Sequence, residues 1–192
     1  MTVSVVDFFG DRQEDIQIDG KQSEKAFIVR RGRSTKSTVI NDEKKMLLNL
    51  ASNLRCGDKF TRADGTSWYV VARQSNGACV ECQARRINST IGIYAMENIY
   101  DSLELVGCKE IEVADNVSAY YKDVSANMQI LDAGLLKDTV KIILIRDTED
   151  IKELYRVKLN GADYQVDNID TGRYENMYYV QLSEDTRAVI DE

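Results

Sequence analysis

Two β-hairpin signatures set half a chain apart constrain this sequence more than any other feature. Asp64-Gly65 is followed, after two residues, by Trp68 and Val70; Asn160-Gly161 is followed, after two residues, by Tyr164 and Val166. The glycines are separated by 161 − 65 = 96 positions, half of the 192-residue chain. Asp-Gly and Asn-Gly supply the left-handed backbone that tight hairpin turns require, and the aromatic and β-branched residues beyond them suit strands. The spacing predicts two small β-domains, with chance similarity of two hairpins as the alternative.

Further strands follow from the same grammar. Val3-Ser4-Val5-Val6 and Ala26-Phe27-Ile28-Val29 flank a turn at Asp19-Gly20 and read as an arm or hairpin. Residues 79–87 and 91–94 continue the first domain, while residues 140–145 and 176–182 accompany the second hairpin. One helix is expected over residues 42–54. Asn41 can cap it, Asp42 and Glu43 favour its first turn, and Met46, Leu47, Leu50 and Leu54 share a helical face before Gly57. The fold class is therefore mainly β with minor α: two small antiparallel β-barrel or meander domains, one amphipathic helix and an N-terminal arm. The boundaries fall at residues 1–40 for the arm or hairpin, 41–106 for helix plus barrel, 107–137 for a connector and 138–192 for the second β-domain.

Composition removes many functions. With no histidine, the chain has no Ser-His-Asp triad, Cys-His pair or histidine metal ligand. No GxGxxG or GxxxxGK[ST] string signals a nucleotide, so no cofactor is expected. The net charge of −7 disfavours nucleic acid as a general partner. No apolar run reaches membrane-spanning length, and the opening residues lack a basic region and cleavage site, so the expectation is cytoplasmic residence. Cys56, Cys79, Cys82 and Cys108 include a CxxC, but residues 78–84 read as a strand, where positions three apart face opposite ways. Ordinary buried thiols are expected rather than zinc or redox chemistry. The acidic groups Asp147, Glu149, Asp150, Glu184 and Asp185 could serve a carboxylate hydrolase, but their setting in turns reads as solvated surface. No catalytic or metal residue is assigned, and no enzyme activity is expected.

Contact residues are a different matter. Arg30, Arg31, Arg33 and Lys36 form the one cationic cluster, either an exposed loop or an arm that meets an acidic partner surface or nucleic acid. Among ten tyrosines, the adjacent Tyr178 and Tyr179 must point to opposite faces of a strand, so one of them is expected to meet a neighbour or solvent.

The strings Arg55-Cys56-Gly57-Asp58-Lys59-Phe60, Asp64-Gly65, Trp68-Tyr69-Val70-Val71 and Cys82-Gln83-Ala84-Arg85-Arg86-Ile87-Asn88 resemble small β-barrel structural proteins of tailed phages. Ile145-Arg146-Asp147-Thr148, Asn160-Gly161, Tyr164-Gln165-Val166 and Ile169-Asp170 resemble the same class. The resemblance implies a noncatalytic virion protein of the head–tail junction, of connector, head-closure or tail-completion type. It would be made in the host cytoplasm, assemble as a cyclic homo-oligomer with portal and tail proteins, and lie near DNA without a membrane partner. The long N-terminal region and the duplicated arrangement depart from single-barrel head-closure proteins. The alternative from the residues alone is a small barrel that holds a peptide or single-stranded nucleic acid.

Overall fold

The computed structural model describes residues 12–29 and 42–190. They form twelve strands and one short helix, α1 (Ala126–Leu131). The chain divides into two compact units, residues 1–87 with 174–176, and residues 88–173 with 177–192. The fold class expected from the sequence holds: the chain is mainly β, and each unit contains a closed antiparallel barrel.

In the first unit β1 (Glu14–Ile18), β2 (Glu24–Val29), β3 (Glu43–Leu48), β4 (Lys59–Arg62), β5 (Ser67–Ser75) and β6 (Val80–Arg86) close in the order β1-β2-β3-β6-β5-β4. Alternate residues point inward, as the strand period demands. Ile16, Ile18, Ala26, Met46, Leu48, Phe60, Trp68, Val70, Val80, Cys82 and Ala84 fill the interior, with Leu54 packed among them. Trp68 keeps its indole satisfied by donating Nε1–H to Thr66 Oγ1 at 2.8 Å. The Asp64 carboxylate accepts from the Thr66 amide at 2.9 Å, so Asp64 organises the turn as its residue type suggests.

The helix expected over residues 42–54 is not formed. Residues 43–48 are instead β3, hydrogen-bonded between β2 and β6. Met46 and Leu48 are buried while Leu47 lies at the partly covered outer face, which is a period of two. Barrel closure outweighs the helical spacing and capping signals, because without β3 the edges of β2 and β6 would be left open.

The second unit repeats the winding. Its strands β7 (Ser89–Asp101), β8 (Glu104–Asp123), β9 (Lys141–Arg146), β10 (Arg156–Leu159), β11 (Ala162–Asp170) and β12 (Met177–Glu184) close as β7-β8-β9-β12-β11-β10. Adding six to each strand number of the first barrel reproduces this order, and the register agrees as well. Ile18 faces Phe60 as Ile93 faces Val157. Met46 faces Cys82 as Ile143 faces Val180. Ala26 faces Leu48, and Glu14 in turn, just as Ala119 follows Ser89 in register. Both copies carry a bulge at the same place, between Val70 and Ala72 and between Val166 and Asn168. The hairpin similarity at the sequence level thus extends through a whole six-stranded barrel.

Residues 107–137, expected as a connector, are mostly β8 followed by α1, so the divide between the units falls near Ile87 and not after residue 106. The apolar residues there alternate with exposed charges along β8, and a long solvated strand carries no clear inward face to read. The arm or hairpin expected over residues 1–40 is not separate in its described part. Residues 14–18 and 24–29 are β1 and β2 of the first barrel, because their inward residues Ile16, Ile18 and Ala26 complete its core. Residues 1–11 and 30–40 lie outside the described residues.

Candidate interaction surfaces

The twin barrels make insertions easy to locate. The strands that correspond to β1 and β2 are far longer in the second unit: 5 and 6 residues in β1 and β2, against 13 and 20 in β7 and β8. Residues 19–23 join the first pair, whereas residues 94–116 occupy the equivalent stretch of the second. This extra length forms a two-stranded finger. Pairing of β7 with β10 ends at Arg156 and Tyr94, but pairing with β8 continues to Asp101 and Glu104.

The finger ends in Ser102 and Leu103, both at positive φ, +48° and +79°. That geometry suits a two-residue hairpin turn but costs a leucine about 1–2 kcal/mol relative to glycine. Leu103 is nevertheless placed there and is 98% exposed. Tyr100, Leu105 and Val106 are exposed beside it. Glu97, Asp101, Glu104, Glu112 and Asp115 add five exposed carboxylates to the same finger. The finger thus pairs an acidic stem with an exposed apolar tip.

The base of the finger is braced by charge. Arg156 donates Nε to Asp185 at 2.8 Å and Nη1 to Glu110 at 2.6 Å. Glu110 also accepts from Lys158 Nζ at 2.5 Å, and that ammonium lies 4.5 Å from the Tyr94 ring centre. Burial alone would raise the Asp185 carboxyl, but hydrogen bonds from Arg187 and Arg156 outweigh it and hold it well below the usual carboxylate range. The hydrogen bond to Asp185 likewise raises Arg156 further above its ordinary value. Beyond Asp185 the chain crosses to β8: Cys108 N donates to Ala188 O at 3.1 Å and Ile190 N donates to Cys108 O at 3.0 Å. Gly107 leaves room for Ile190, whose Cδ1 lies 2.5 Å from where a Cβ would stand.

A second exposed apolar group sits in the β8–β9 connection, where α1 and the residues after it present Ile130, Leu131 and Leu136. Successive connections in an antiparallel barrel lie at opposite ends, so α1 and the finger mark opposite poles of the second barrel. In the first unit, residues including Lys21, Lys25, Asn49, Asn53 and Arg55 line an open groove of about 730 Å³. Lys21 is already committed to Asp58 at 2.6 Å and Asn53 O at 3.2 Å, and Glu24 to Ser52 and Asn53.

The contact residues expected from sequence divide as follows. Arg30, Arg31, Arg33 and Lys36 lie outside the described residues. Tyr178 and Tyr179 do take opposite faces of β12. Tyr178 packs on the second core, and Tyr179 is buried beneath Arg173, whose guanidinium lies 4.0 Å from its ring centre. Asp185, expected as a solvated turn residue, is buried between two arginines; the distant partner Arg156 gave no local signal. All four cysteines are buried and free, and Cys82, pushed up to about 12 chiefly by burial, is a core side chain. Among the described residues no cluster of three or more acidic or cysteine side chains is arranged to hold a metal. Sequence reading missed the finger, whose turn at Ser102-Leu103 carries neither the glycine nor the asparagine that marks the other hairpins.

Comparison with protein-family models and with curated proteins gives no match to this chain.

Proposed function

We propose that this chain is a noncatalytic structural subunit of a tailed-phage head–tail junction, which joins others of its kind in a ring between portal and tail components. The observation that carries the reading is the acidic, apolar-tipped finger of residues 94–116 mounted on one of two identically wound barrels. Closed barrels conceal their strand edges, so they serve as rigid bricks and leave contact to whatever projects from them. The finger and α1 are such projections, the cationic residues Arg30, Arg31, Arg33 and Lys36 supply charge opposite to that of the finger, and heterologous contacts between different patches of identical subunits close into cyclic arrays. The resemblance of both hairpin regions to small phage barrels supplies the assembly class.

Deletion of the coding segment from the producing phage tests the reading. Filled heads and separate tails that fail to join, rescued by supplying the chain in trans, are the expected result. Complete infectious particles formed in its absence, or particles that never contain it, overturn the proposal.

A further inference from the structure

We propose that the outer edge of β7 in the finger receives residues 30–40 of a second copy of this chain as an added strand. The inference rests on the assembly reading above and specifies which surfaces of neighbouring subunits meet.

The edge is the first observation. β10 covers β7 only as far as Tyr94, and from Ala95 to Asp101 the described residues place β8 on one side of β7 and no strand on the other. Such an edge presents a row of backbone donors and acceptors that pairs readily with an extended segment. The two barrels themselves are closed. The other strand of the finger, β8, also has an outer edge, which the segment at residues 188–190 meets at Cys108, whereas no such segment lies along the β7 edge among the described residues.

Charge names the occupant. Glu97 and Asp101 stand on β7 itself, with Glu104 and Glu112 on its partner, all exposed. Lys109 lies opposite Glu97 as the one cation between residues 94 and 114, and Glu110 is taken by Arg156 and Lys158. Residues 30–40 read Arg-Arg-Gly-Arg-Ser-Thr-Lys-Ser-Thr-Val-Ile, with four cations and no carboxylate. Their second half, Ser37-Thr38-Val39-Ile40, is β-prone and apolar at its end, which matches an edge flanked by exposed Tyr100 and Leu105. A finger that accepts a segment from the next subunit is a heterologous contact, the kind that propagates around a ring.

The test exploits this complementarity through sedimentation velocity on the full chain. One variant reverses the finger (Glu97→Lys, Asp101→Lys, Glu104→Lys); another reverses the segment (Arg30→Glu, Arg31→Glu, Arg33→Glu). The unmodified chain is expected to self-associate, about tenfold more weakly when salt rises from about 0.1 M to 1 M and the screening length falls from about 10 Å to about 3 Å. Each variant alone is expected to stay monomeric with an unchanged melting curve. An equimolar mixture is expected to associate again, because each variant then offers the surface that complements the other. Variants that associate like the unmodified chain, or a mixture that remains monomeric, overturn the proposal. A chain that is monomeric at every concentration, with residues 30–40 protected in its own molecule, also overturns it. If ring formation or head–tail joining survives in both variants, this contact falls while the assembly reading stands; if deletion leaves joining intact, the assembly reading falls by itself.

Discussion

The guanidinium of Arg156 lies 2.8 Å from the carboxylate of Asp185, and the two side chains are only 2% and 1% exposed. A buried pair of this kind adds little over an apolar replacement but is costly to break, because the survivor keeps its charge without its partner. Here the pair joins β10 to the segment that runs from β12 to the base of the finger, so its loss is felt in both.

Asp185→Asn is therefore expected to lower unfolding stability by about 3 kcal/mol at neutral pH, with Glu110 still holding Arg156. The folded Asp185 carboxyl titrates below its unfolded value of about 3.9. Its stabilisation is complete above that unfolded value and is lost as pH falls through the folded one. Urea melts of both proteins should show a constant gap from about pH 5 to 8 that closes progressively below about pH 4. A gap that widened with acid would contradict the assignment.

Gly65→Ala and Gly161→Ala are expected to cost nearly the same, about 1–2 kcal/mol each. Both glycines sit at positive φ, +78° and +80°, and an added Cβ meets nothing within 4 Å at either, so the cost is purely that of the backbone. Chemical denaturation of the two variants measures it, and a difference well above 1 kcal/mol would show that the two turns are not equivalent.

Gly107→Val is expected to displace the segment at residues 188–190, since a side chain there takes the place of Ile190. Hydrogen exchange should accelerate at the Cys108 and Ile190 amides while amides inside the barrel stay protected. Uniformly faster exchange would mean that this segment is integral to the barrel rather than laid against the finger.

Leu103→Gly is expected to slow amide exchange across the finger, because glycine accepts the +79° φ at the tip without strain. The same change removes the most exposed apolar side chain, so association between copies should weaken. Tighter local structure with unimpaired association would exclude the tip from the contact.

Cys82 is expected to resist a maleimide at pH 8 in the folded protein, since burial pushes its thiol up to about 12 and shields it from reagent. Mass spectrometry of the labelled protein before and after addition of denaturant makes the comparison, and prompt labelling of the folded chain would contradict this placement.

What the sequence disclosed followed from local chemistry. Gly65 and Gly161 mark turns, Trp68 and Val70 alternate into the core as strand residues should, and the spacing between the two hairpins reappears in the paired bulges beside Val70 and Val166. Failures occurred where a distant partner decides. Met46 and Leu48 take their direction from β2 and β6, so a spacing compatible with a helix misled. Glu110 and Asp185 look like surface acids until Arg156 is placed between them. The finger was illegible because a two-stranded ribbon outside a core needs no sustained apolar stripe.

The short link at residues 19–23 shows how little chain this barrel needs between its first two strands. The winding of the sister barrel therefore does not call for the long ribbon, although Arg156 does lean on it through Glu110. Transplanting the short link in place of residues 94–116 should yield a shaved barrel that still closes but melts earlier, because Arg156 then loses Glu110 and keeps Asp185.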